Sequence, residues 1–193
     1  MKKEKGIEIF DPLVSYYKKI EEQVKTNPKK QFVFFVLGFL FFYVILTGIV
    51  YAFPKGFFER IVGESINFLI NLQGIKTQTI SGEQFDIHLV TSGTIIIISW
   101  LCTGILEIII LASTMLATFG VKLREKILGI IIAIIVGFIF NLVRIIITIN
   151  IILTQNAQTF ELAHDLLFRA TLFLYIVIVY VIWFHLSIQK NRK

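Results

Sequence analysis

Residues Ile127–Leu153 read ILGIIIAIIVGFIFNLVRIIITINIIL, an apolar run interrupted by a single charge, Arg144. The run exceeds the roughly 20 residues that a helix needs to cross a bilayer. A soluble helix carries one apolar stripe, whereas this segment is apolar on every side, so it needs lipid or protein all round. Three more stretches read the same way: Phe32–Phe53, Ile105–Val121 and Leu166–Leu186. Ile105–Val121 is short, and the Ile95–Trp100 run offers it an earlier start; Ile127–Leu153 is long enough to tilt. Phe32–Phe53 lies too far into the chain and is too long for a cleavable signal. Composition agrees: of 193 residues 56% are hydrophobic and 17% charged, with 19 Phe against 3 Pro. Mean hydropathy is +0.80. So short a chain cannot hide that much apolar surface in its own core.

Phe57–Leu72 reads differently. Arg60, Glu64, Asn67 and Asn71 form a polar stripe, and Phe58, Val62, Ile66 and Leu69 an apolar one on the other side. Glu59, Arg60 and Glu64 so close together tell against a span and for a helix lying at the membrane interface.

Charge placement tests the count. Eight basic residues precede Gln31, three lie between Lys122 and Lys126, and three between Lys190 and Lys193. Four spans put these segments on one side, so fourteen of the 19 basic residues are cytoplasmic, as the positive-inside rule requires. The net charge of +6 is thus an orientation signal, not a nucleic-acid footprint. Within the N-terminal arm, residues 1–30, Ile7–Val24 has the spacing of an amphipathic helix, suited either to topogenesis alone or to resting on anionic lipid. In the outer segment, residues 54–101, Ile75, Thr77 and Thr79 and then Phe85, Ile87 and Leu89 alternate around Ser81-Gly82. That is a β-hairpin pattern, whose edge either holds an extended peptide or merely covers the bundle.

One cysteine, Cys102, excludes an intrachain disulfide and any multi-Cys metal site. Arg144 lies roughly 25 Å along its span at about 1.5 Å per residue, a few ångströms short of the outer edge of a core about 30 Å thick. Cys102 and His164 each precede a span that descends from outside, so the topology gathers all three at one depth. Cys102 before Thr103-Gly104 suits a nucleophile at a helix start. Arg144 suits an oxyanion, and His164 suits a proton shuttle. Asn141, one turn before Arg144, can orient the guanidinium or donate to an oxyanion. Rival readings stand beside these: Arg144 pairs with Glu107, and Asp165 pairs with Arg169, for structure alone. His88 falls in the predicted hairpin and His185 at the cytoplasmic end of the last span.

Taken in order, Cys102-Thr103-Gly104, Asn141-Leu142-Val143-Arg144 and Ala163-His164-Asp165 resemble the motifs of the exosortase/archaeosortase family, over about residues 74–186. The resemblance implies a membrane transpeptidase with Cys102 as nucleophile, Arg144 as catalytic arginine and His164 in the third position, with Arg169 secondary. It implies secreted substrates ending in a short motif, a transmembrane helix and a basic tail, cleaved through a Cys thioester outside. A membrane lipid or another nucleophile would be the acceptor, and no metal or cofactor is implied. The chain is shorter than many bacterial members, and no separate fused domain is expected.

The expected fold is an all-α polytopic protein of the cell membrane, with about four transmembrane helices, an interfacial helix and a small extracytoplasmic β-hairpin. The arm is followed by a single transmembrane catalytic domain, residues 31–188, and a basic tail, residues 189–193. Both termini are expected in the cytoplasm and the active site outside. Two alternatives are a non-enzymatic membrane scaffold and a cysteine endopeptidase of the peptide-pheromone maturation type, which works at the cytoplasmic face.

Overall fold

The computed structural model describes residues 28–81, 84–90, 93–154 and 157–191, with side chains except at 81, 152, 154, 157–169 and 190–191. The helix expected over Ile7–Val24 lies outside the described residues. The order of elements is α1 (Pro28–Tyr51), α2 (Phe57–Leu72), β1 (Thr77–Ser81), β2 (Phe85–Leu89), β3 (Ile95–Ile98), a 3-10 turn (Trp100–Cys102), α3 (Ile105–Ala117), α4 (Leu123–Thr154) and α5 (Ala157–Asn191).

Among the described residues three helical segments are long and apolar enough to cross a membrane: Pro28–Tyr51, Leu123–Ile151 and Ala170–Gln189. The second expected span is a helix of 13 residues, α3. At about 1.5 Å per residue it reaches roughly 20 Å, short of a core about 30 Å thick. It stops because Thr118 turns to extended backbone (ψ 127°), and Gly120 follows at φ 77°. Its expected earlier start is also corrected, because Ile95–Ile98 is a strand. A short run of isoleucines fits a strand and a buried helix equally well by composition.

α1 has no buried residue, and Val44 is 68% exposed. A helix apolar on all sides and uncovered by protein is solvated by lipid. It packs along α3, where Gly38 lies against Ala117. α3 in turn leans on α4, and Leu111 and Met115 share a core with Ala133, Tyr175 and Trp183. α4 and α5 come close because Gly129 and Gly137 leave room for the Trp183 and Tyr175 rings, which any Cβ there would strike. Trp183 Nε1 donates to the Glu125 carbonyl at 3.1 Å, and Tyr175 Oη to that of Ala133 at 2.6 Å. Buried Lys126 donates from Nζ to the Leu116 carbonyl at 2.7 Å, satisfying the end of α3.

A second core lies around the sheet. The expected hairpin is a three-stranded antiparallel sheet in the order β1-β2-β3, with Thr79 opposite Ile87 and Phe85 opposite Ile98. Phe85, Ile87, Leu89, Ile96 and Ile98 are buried with Val62, Ile66 and Ile70 of α2 and Ile145 and Ile149 of α4. The protein is therefore mostly helical rather than all-α. The α2 stripe read from the sequence as meeting the membrane meets the sheet instead, because an alternating apolar face needs cover. α2 leaves a different apolar set exposed: Phe57, Ile61, Phe68 and Leu72.

Candidate active site

Cys102 ends the 3-10 turn, not the first turn of a helix. Its N–H donates to the Ser99 carbonyl at 2.8 Å, and that of Thr103 to the Trp100 carbonyl at 3.1 Å. Thr103 Oγ1 donates to the same carbonyl at 2.7 Å and accepts from the Ile105 N–H at 3.3 Å. Thr103 thereby joins the turn to the start of α3. Between them Gly104 holds φ 74°, the left-handed conformation that glycine adopts without penalty. A Cβ there would also sit 3.2 Å from Asn141 Cγ. Cys102 is a free, half-buried thiol, with Ser99 Oγ 3.6 Å from its Sγ.

α4 supplies two buried polar residues a turn apart, Asn141 at 2% exposure and Arg144 at 6%. Asn141 Nδ2 donates to the Cys102 carbonyl at 2.9 Å. The amide thus holds the backbone of Cys102, a role beside the two that the sequence offers for Asn141. Arg144 interacts electrostatically with both Cys102 and Glu107.

His164 lies inside α5, which begins at Ala157, and precedes the part of that helix apolar enough to cross a membrane, Ala170–Gln189. Its side chain and those of Asp165 and Arg169 lie outside the described residues. His88 is half-buried on β2, opposite Gln78 and Ile95. His185 Nε2 lies 2.8 Å from Gln189 Nε2 near the end of α5. Among the described residues no cluster of His, Cys, Asp and Glu is arranged to hold a metal ion.

Two neighbours of the thiol are not picked out by sequence reasoning. Ser99 is three residues before Cys102, a spacing that matters only once the segment is known to be a 3-10 turn. Trp100 stacks on Tyr51 with ring centroids 6.0 Å apart and meets Phe58 edge-on at 6.1 Å. With Phe53 and buried Glu59 these rings line a cavity of about 330 Å³ between α1 and α2. Aromatic rings at the end of a spanning helix are the usual mark of a membrane interface.

A half-buried thiol whose backbone is held by an amide, with a buried cation one turn along the amide's helix, is an arrangement capable of nucleophilic acyl transfer. No curated protein and no solved structure matches the chain. The family model for the transmembrane exosortase matches residues 28–185, from the start of α1 almost to the end of α5 and across Cys102, Asn141, Arg144 and His164. The chain belongs to the transmembrane exosortase family.

Proposed function

We propose that this protein is a cysteine transpeptidase that removes the C-terminal sorting signal of secreted proteins at the outer face of the membrane. The observation that carries this reading is the buried Arg144 of an otherwise apolar helix, one turn beyond the Asn141 amide that holds the backbone of the half-buried Cys102. A charge so placed is costly and is kept where it has work to do. In the proposed topology α3 completes a set of four crossings, with both termini in the cytoplasm and Cys102 outside, in keeping with the basic residues at 2–30, 122–126 and 190–193.

In the proposed reaction the substrate's transmembrane helix docks beside the bundle and brings its motif to Cys102. The thiolate attacks a backbone carbonyl, forming an S–C bond, and Arg144 stabilises the oxyanion. The C–N bond then breaks, and the departing amine takes a proton from His164. An acceptor nucleophile, either a lipid headgroup amine or another group, attacks the thioester, forms a new acyl bond and releases the thiolate. Water as acceptor would make the enzyme a protease.

The test follows the size of a secreted protein that ends in a motif, an apolar helix and a basic tail. Cys102→Ala should abolish its processing while the membrane protein persists, and Cys102→Ser should nearly abolish it. Unchanged processing by Cys102→Ala overturns the reading. The electrostatic attraction between Arg144 and Glu107 favours one rival, a non-enzymatic scaffold. There, Arg144→Ala lowers abundance and Cys102→Ala does nothing.

A further inference from the structure

Strand β3 is one of the two edges of the sheet, the one that runs on to Cys102, with β2 its one strand neighbour among the described residues. The Leu89 N–H donates to the Thr94 carbonyl at 2.9 Å. In an antiparallel ladder the bonded pairs alternate, so Ile96 and Ile98, opposite Ile87 and Phe85, also turn their backbone groups toward β2. Ile95 and Ile97 therefore turn their N–H and C=O groups toward the open edge. Their side chains are exposed too, at 53% and 52%. Natural edge strands are usually guarded by lysine, proline or a charge, and Ile95–Ile98 has none of these. Lipid tails cannot satisfy such backbone groups, whereas an extended peptide can. One residue beyond β3, Ser99 reaches the Cys102 thiol at 3.6 Å.

We infer that the open edge of β3 binds the sorting segment of the substrate as an added strand, parallel to β3. The inference rests on the transpeptidase reading of Cys102 and names how that site holds its peptide. Chain direction favours the parallel arrangement. β3 leads through Cys102 into the apolar helix α3, and the substrate's motif leads in the same order into its own transmembrane helix. Residues of the motif then pair with Ile95 and Ile97, and the next peptide bonds pass over Cys102.

The test uses the same substrate in cells. Ile97→Pro removes one outward N–H and leaves the β2–β3 ladder its bonds, since proline is tolerated on an open edge. It should lower processing about tenfold or more, with abundance and maleimide labelling of Cys102 retained. A second measurement is independent of that variant's folding. Ile95→Cys and Ile97→Cys, each with Cys102→Ala, should form disulfides with cysteines scanned through the motif. Ile95→Cys should favour positions nearer the substrate's N-terminus. Wild-type processing by Ile97→Pro, absence of these crosslinks, the reversed order, or crosslinks only to a second copy of this chain would each overturn the inference. Full loss in Cys102→Ala with none in Ile97→Pro removes the docking edge alone, whereas unchanged processing by Cys102→Ala removes the transpeptidase reading itself.

Discussion

Asn141 on α4 donates its side-chain amide to the backbone carbonyl of Cys102 across 2.9 Å, tying the middle of a membrane helix to the turn that presents the thiol. Removing the donor leaves that carbonyl without this bond, at a cost of about 1–3 kcal/mol. Asn141→Leu and Asn141→Asp should both slow substrate processing, because neither leucine nor an ionised aspartate can donate. Asn141→Asp nearly keeps the volume, so equal losses assign the effect to the bond. The rate at which a small maleimide labels Cys102 should shift in both, and unchanged labelling with unchanged processing would remove Asn141 from a positioning role.

Arg144 lies within the electrostatic reach of two groups, Cys102 and Glu107, and a double-mutant cycle separates its roles. As an oxyanion donor it should cost roughly 10²–10³-fold in turnover when replaced by alanine. As a partner of Glu107 alone, its loss should be relieved when Glu107→Gln removes the opposing charge. The expected result is that Glu107→Gln partly restores the abundance of Arg144→Ala but not its processing.

Gly104→Ala forces a Cβ into the left-handed conformation and toward Asn141. The backbone term alone is about 1–2 kcal/mol. A lower unfolding temperature in detergent and a loss of processing greater than the loss of protein are expected.

Lys126 is expected to matter for stability and not for chemistry. Lys126→Met keeps the stem's length but deprives the Leu116 carbonyl of its bond. The purified protein should lose about 1–3 kcal/mol, read as an earlier thermal transition, while processing per molecule stays at the wild-type level.

The proposed topology places Cys102 outside. A membrane-impermeant maleimide should label it in intact cells, and Cys102→Ala should remove the signal. Labelling only after permeabilisation would put the site on the cytoplasmic face.

Much of this protein was legible in its residues because lipid solvation is a local requirement. A run such as Ile127–Leu153 must be a membrane helix wherever its neighbours lie, and the observed α4 contains it. The bounds of α2 and the pairing of β1 with β2 were equally legible, since helical and alternating periods are written in neighbouring residues. Ile95–Ile98 was not, because a run apolar at every position carries no period to read. The contacts of α2 were not legible either, since its sequence shows which side is apolar but not whether lipid or a sheet lies against it.

The same division holds at the site. Sequence alone determined that a lone cysteine and a costly intramembrane arginine exist, and the family match over residues 28–185 agrees with the motifs that contain them. Only the tertiary structure decided that Asn141 holds the Cys102 carbonyl and that Arg144 is buried within electrostatic reach of Cys102 and Glu107. Helical spacing states which residues share a face of one helix. Which residue of another element that face meets depends on how α3 and α4 pack, and packing is set by contacts between residues far apart in the chain.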